Sequence, residues 1–184
     1  MERNRMGELA ITAGLGLAAG ALLANPARKL AMQSAEAFTT RDWVEALTLE
    51  HRAVSKVFDT LLQTTERQTG KRKSGLAAID HALTKHAFQE ETVIYPALRR
   101  VDEDQAQQLF HEHFEVKTFL SELTFDIEPS DPAWLERLRE FKQTLDQHIR
   151  QEEEEIFPTF RARMSEEMNA QLTRRMHMQG LKLA

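Results

Sequence analysis

From Thr40 onward, apolar side chains return at three- and four-residue steps. Trp43, Leu47, His51, Val54, Phe58 and Leu61 fall on one stripe, the period of an amphipathic helix. Thr40 is the expected N-cap, and the helix is expected to fray before Gly70. "TGKRKSG" (69–75) reads as a turn because of its glycines and charge. A second helix is predicted to about Leu98, with Leu83, His86, Glu90, Ile94 and Ala97 along one face. Asp102, with Gln105 three residues later, resembles a capping box for a third helix. That helix carries Leu109, His113, Val116, Leu120 and Leu123, and "DIEPSDP" (126–132) ends it. Pro132 suits the first turn of a fourth helix, whose inner face reads Leu138, Phe141, Leu145, His148, Glu152 and Ile156. A tail helix is expected from Ser165 to about Met178, stopping before Gly180. Four long helices on short loops predict an all-α, up-down-up-down four-helix bundle over residues 41–160, followed by a tail over 161–184. Helices of about 25 residues span nearly 40 Å, room for several core layers of which one can be polar.

The polar positions on these stripes repeat. "HAFQEETVIYPAL" (86–98) and "HIRQEEEEIFPTF" (148–160) share six residues and an aromatic at a seventh position, and the same shift of 62 residues carries "EHRAV" (50–54) onto "EHFEV" (112–116). The chain therefore reads as two copies of one helical hairpin packed about an approximate two-fold axis. Residues four apart are neighbours on a helix, so His86 converges with Glu90 and His148 with Glu152. With His51 and His113, four imidazoles and two carboxylates meet in one core layer. Six such groups would be costly to bury unpaired, and metal resolves the conflict.

Imidazole suits Fe, Zn, Cu or Ni, and carboxylates add oxygen donors that can bridge two ions. A closed structural zinc site needs only four ligands, so two metals fit better than one, and a di-iron centre with open positions fits best. A single histidine on an apolar face is more often a hydrogen-bonded core residue, and a run such as "EEEE" (152–155) more often a solvated face. The joint pattern of matched histidines, two with Glu at the i+4 position, outweighs that reading. Glu91 and Glu153 lie about 140° around an ideal helix from His86 and His148 and are assigned to supporting or surface positions. His81, His111 and His177 are read as non-ligands. Tyr95, matched by Phe157, is read as a packing aromatic, with a redox-active phenol near the site as the alternative.

Composition narrows the function classes. The 184 residues include 29 acidic against 24 basic side chains, for a net charge of −5, and no cysteine. No strongly basic face is implied, which argues against a nucleic-acid partner, and thiolate metal sites, disulfides and cysteine nucleophiles are excluded. Residues 1–38 differ from the rest. "LAITAGLGLAAGALLA" (9–24) has no charge and carries Gly16 and Gly20 at a helix-packing spacing. Three readings fit it: a membrane anchor, a cleaved signal, or a helix that packs on another subunit. The expected location is cytoplasmic, with membrane association or self-association through residues 9–24.

At "LEHRAV", "HAFQEETVIYPAL", "HEHFEV" and "HIRQEEEEIFP" the sequence resembles the hemerythrin-like proteins with an HHE cation-binding domain. The resemblance covers about residues 41 to 160. It implies a four-helix bundle with a non-heme, usually di-iron, centre, and it supports His51, His86, Glu90, His113, His148 and Glu152 as ligands. The oxygen-carrying members have a further histidine one turn after the third-helix ligand, where this chain has Lys117. That difference points away from reversible oxygen carriage and toward sensing, iron handling or redox chemistry. "GLAAGALLANPARK" and "GLKLA" look like bacterial versions of the family. The expected function is binding or sensing of oxygen, peroxide or nitric oxide in a redox or stress response. The alternatives are an enzyme acting on peroxide or superoxide and an iron-storage protein.

Overall fold

The computed structural model describes residues 39–183, all helix and connecting turns. Helix α1 spans Trp43–Leu62 and α2 spans Thr69–Gln89. A π-helical turn, Glu90–Ile94, joins α2 to the short α3, Tyr95–Leu98. Helix α4 is Glu103–Ser121, widening into a π turn at Glu122–Asp126. Helix α5, Pro132–Gln151, runs through a π turn at Glu152–Ile156 into α6, Phe157–Arg161, and α7 is Glu166–Gly180. The up-down order of directions stays an expectation of the sequence. The expectations for residues 1–38 fall outside the described residues. Within them, no helix is long and apolar enough to cross a membrane.

The helix ends follow local chemistry with three corrections, one of them that the tail helix runs through Gly180 rather than stopping before it. Asp42, not Thr40, caps α1, its carboxylate accepting the Val44 N–H. Asp102, Asp131 and Ser165 cap α4, α5 and α7 in the same way. The segment at 69–75 is not a turn: it forms the first two turns of α2, and the connection lies earlier, at 63–68. Two facts explain the error. Gly75 lets α1 and α2 close up, since a Cβ there would run into Leu61, with Cγ at 2.9 Å. Arg72 turns inward and is fully buried over Trp134, donating to the Thr64 hydroxyl at 3.0 Å and to the Pro129 carbonyl at 2.5 Å.

Packing divides the interior into two apolar clusters. One holds Phe58, Leu61, Leu83, Val116, Leu120, Trp134, Phe141 and Leu145. The other holds Trp43, Leu47, Ile94, Tyr95, Leu109, Ile156, Phe157 and Met176. Helices α1 and α4 contribute apolar residues to both clusters, and α2 and α5 reach the second through the π turns that continue them, so the four histidines lie in a layer between the two. Helix α7 packs on α2 and its π turn, where the Gln89 amide donates to the Met176 carbonyl at 3.4 Å.

Candidate metal centre

The layer contains His51 from α1, His86 from α2, His113 from α4 and His148 from α5, each 3–4% exposed, with Glu90 and Glu152 fully buried. These six were the ligands expected from the repeat. They fall into two groups of four, His51–His86–Glu90–Glu152 and Glu90–His113–His148–Glu152, in which one donor atom per residue lies within 4.8 Å of the others. Both groups share Glu90 and Glu152, the arrangement a pair of ions with bridging carboxylates requires. The imidazole Nε2 atoms face the carboxylates: His86 to Glu90 at 3.1 Å, His113 to Glu90 at 3.3 Å, and His51 and His148 to Glu152 at 3.4 Å each.

Behind every imidazole stands a second carboxylate. Glu153 meets Nδ1 of His51 at 2.8 Å, and Glu50 meets that of His86 at 3.0 Å. Glu91 meets Nδ1 of His113 at 2.9 Å, and Glu112 meets that of His148 at 2.7 Å. A carboxylate at Nδ1 holds the proton there and leaves the Nε2 lone pair toward the centre, the tautomer a metal ligand needs. Glu91 and Glu153 thus act across the two-fold, each on the other hairpin's histidine. Glu50 and Glu112 were not singled out from the sequence, although a Glu directly before the histidine in both repeats was the available signal.

Tyr95 departs from the packing role expected of it. Its hydroxyl lies 2.7 Å from Glu152 Oε1, 2.9 Å from His113 Nε2 and 3.3 Å from Glu90 Oε2. In an ideal helix a residue nine positions after His86 lies about 180° away. The π turn holds one extra residue, which returns roughly 100° and brings Tyr95 inward. Phe157 occupies the matching place in the second hairpin and lies parallel to His51, 6.5 Å between ring centroids. The repeat is therefore unequal at the centre: a phenol on the His113 side, a hydrocarbon ring on the other. Lys85 adds a second inequality, since it is buried and bonds Glu50 at 2.6 Å. Its counterpart by the repeat is Gln147. His81 and His111 are exposed, and His177 is half-buried with Nε2 at 3.2 Å from the Thr40 carbonyl. None of the three approaches the layer.

Electrostatics without metal show protons doing the neutralising. Burial opposes charge on His86, but Glu90 and Glu50 outweigh it and raise its pKa well above the usual imidazole value. His113 follows the same balance: burial works against its charge, while Glu90 and Glu91 lift it to about 9. Burial raises Glu90 too, yet His86 and His113 hold it well below the ordinary carboxylate value. Glu152 is pushed up by burial and then by Glu90, as two carboxylates in one site require. Among the described residues, Glu90 Oε1, Glu152 Oε2 and His148 Nε2 have no hydrogen-bond partner. Buried unpaired acceptors are costly. Three of them converging in a layer of imidazole and carboxylate is the donor chemistry of a metal site.

An all-helical bundle with a buried cluster of four histidines and two glutamates, fit for metal, defines a class of cation-binding proteins. Residues 42–160 match the hemerythrin HHE cation-binding domain, and the chain belongs to that family. A curated relative named DNA nickase, from Nostoc sp., is 32% identical over 128 residues, which cover 69% of this chain and 36% of that protein. The chain thus spans little more than a third of that relative's length. No solved structure gives a significant match.

Proposed function

We propose that the chain is a non-heme di-iron protein in which His51, His86, Glu90, His113, His148 and Glu152 hold two irons. In this reading the centre binds oxygen, peroxide or nitric oxide as a sensor. The supporting observation is the pair of four-donor groups that share Glu90 and Glu152. Iron so held would supply redox chemistry and an open coordination position for a small ligand. The protein's own part is to fix the imidazoles through their Nδ1 carboxylates and to keep bulk water from the layer. Loading with Fe(II) under anaerobic conditions is expected to give two irons per chain, and the double variant His86→Ala/His148→Ala is expected to lose most of that metal. Full metal content in the double variant would sink the assignment. Reversible spectral change on adding oxygen, peroxide or nitric oxide separates sensing from storage, for which iron above two per chain would be the sign.

One observation favours a second reading, turnover of peroxide. An enzyme of this kind needs a proton donor at the metal pair, and the Tyr95 hydroxyl is placed among the donors of one position. Tyr95→Phe should keep two irons yet lower peroxide turnover about 100-fold. Equal turnover in the variant would remove Tyr95 from that chemistry. The relative's name raises cleavage of a DNA strand, which we rank last. Lys117, the lysine beside the metal layer on α4, is already paired with Glu91 at 2.6 Å, leaving no free positive charge there to hold a phosphate backbone.

A further inference from the structure

Beside the polar layer lies a cavity of about 350 Å³, reached between α2 and α4. Its floor is formed by the four histidines, and its walls are Leu83, Ala87, Val116, Leu120 and Leu145. Exposed Thr84 and Lys117 stand at the outer end, and Leu183, beyond α7, closes one side. The volume is far from what a diatomic ligand needs. One water takes about 30 Å³ of liquid, and an apolar cavity of about 150 Å³ already accepts a benzene-sized molecule. Charge narrows the occupant further. Lys117 at the rim is paired with Glu91, which also holds Nδ1 of His113, so neither is left free to hold an ionised head group. At the floor, the Nε2 of His148 has no hydrogen-bond partner within the protein, and an oxygen-bearing end suits that side of the layer.

We propose that this cavity binds an uncharged organic molecule, an alkyl chain or aryl ring with one oxygen-bearing end, oriented with the oxygen toward the imidazole layer. This deepens the reading above and rests on it for the metal pair: the small-molecule end that meets the metals is part of a larger apolar ligand. Binding draws on the transfer of each methylene from water into the leucine-lined space, about 0.8 kcal/mol apiece, and the cavity length sets where that gain ends.

The test uses the full chain, as purified and after iron loading, with a series of n-alkanols from ethanol to dodecanol. Affinity should rise about tenfold for every two methylenes and then stop at a chain length set by the cavity. 1-Hexanol should shift the imidazole resonances of His51, His86, His113 and His148 and leave those of His81 and His111 in place. Ala87→Phe, which fills the cavity, and Thr84→Trp, which blocks its outer end from an exposed position, should each weaken 1-hexanol at least tenfold. If Ala87→Phe fails to fold, its melting curve will show it and Thr84→Trp carries the comparison. Affinity that keeps rising with chain length, or 1-hexanol binding equal to wild type in the folded variants, would overturn the proposal. Metal analysis of the same samples keeps the two readings apart. Two irons without alkanol binding sinks the cavity ligand alone, whereas alkanol binding with no iron upholds the cavity and sinks the metal pair.

Discussion

At the scale of the residue, a carboxylate behind an imidazole fixes the tautomer and also strengthens the ring as a donor. Glu50, Glu91, Glu112 and Glu153 do this once each, and all four are held below the ordinary carboxylate value even though burial pulls the other way or, for Glu153, yields to the His51 hydrogen bond. They differ in support: Glu50 is braced by buried Lys85, while Glu153 is about a quarter exposed. Removing the charge of Glu153 should therefore act on metal rather than on folding. Glu153→Gln is expected to lower metal affinity about 10- to 100-fold, read by competition with a chelator, with little change in the metal-free melting temperature. Glu154→Gln, at an exposed position one residue on, is the control and should change neither. Equal affinities for the two variants would show that the Nδ1 contact does not tune the site.

At the scale of the element, the sequence carries the helices and the inward stripe, and it carries them for a physical reason. Heptad-like spacing and the hairpin repeat survive any small error in helix ends, so His51, His86, His113 and His148 were legible from spacing alone. The π turns were not. Pro96 and Pro158 hint at a break, but the extra residue that swings Tyr95 inward shows only once the backbone is built. Arg72 was hidden for a related reason. In a run of basic residues and glycines its charge reads as solvated, whereas it lies over Trp134 and ties the α1–α2 connection to the loop before α5. Arg72→Ala would leave the Pro129 carbonyl and Thr64 without their donor and open space beside Trp134. It should cost about 3 kcal/mol, measured by denaturant unfolding, with metal content unchanged in the folded fraction. A loss under about 0.5 kcal/mol, the level of an ordinary surface substitution, would show that the guanidinium is not a structural tie.

At the scale of the whole molecule, one polar layer between two apolar clusters makes stability depend on what neutralises that layer. Without metal it is protons. His113, with its folded pKa raised to about 9 from an unfolded value near 6.5, contributes stability that is complete below about pH 6.5 and is lost as pH rises through about 9. His86 shifts in the same direction and adds to the loss. Glu90, depressed, contributes above its ordinary value of 4.5 and loses that contribution as pH falls through its folded pKa. The metal-free protein should therefore melt highest near neutral to mildly acidic pH and lower toward both extremes. Metal reverses the alkaline side. It needs neutral imidazoles, so binding releases protons and tightens as pH rises over the same interval, and tighter binding to the folded state raises its stability. The gap between metal-loaded and metal-free melting temperatures is thus expected to widen from pH 6.5 to pH 9. Melting both forms across that range decides the matter. A gap that stays constant would mean that metal does not displace protons from His86 and His113, and any metal would have to be held elsewhere.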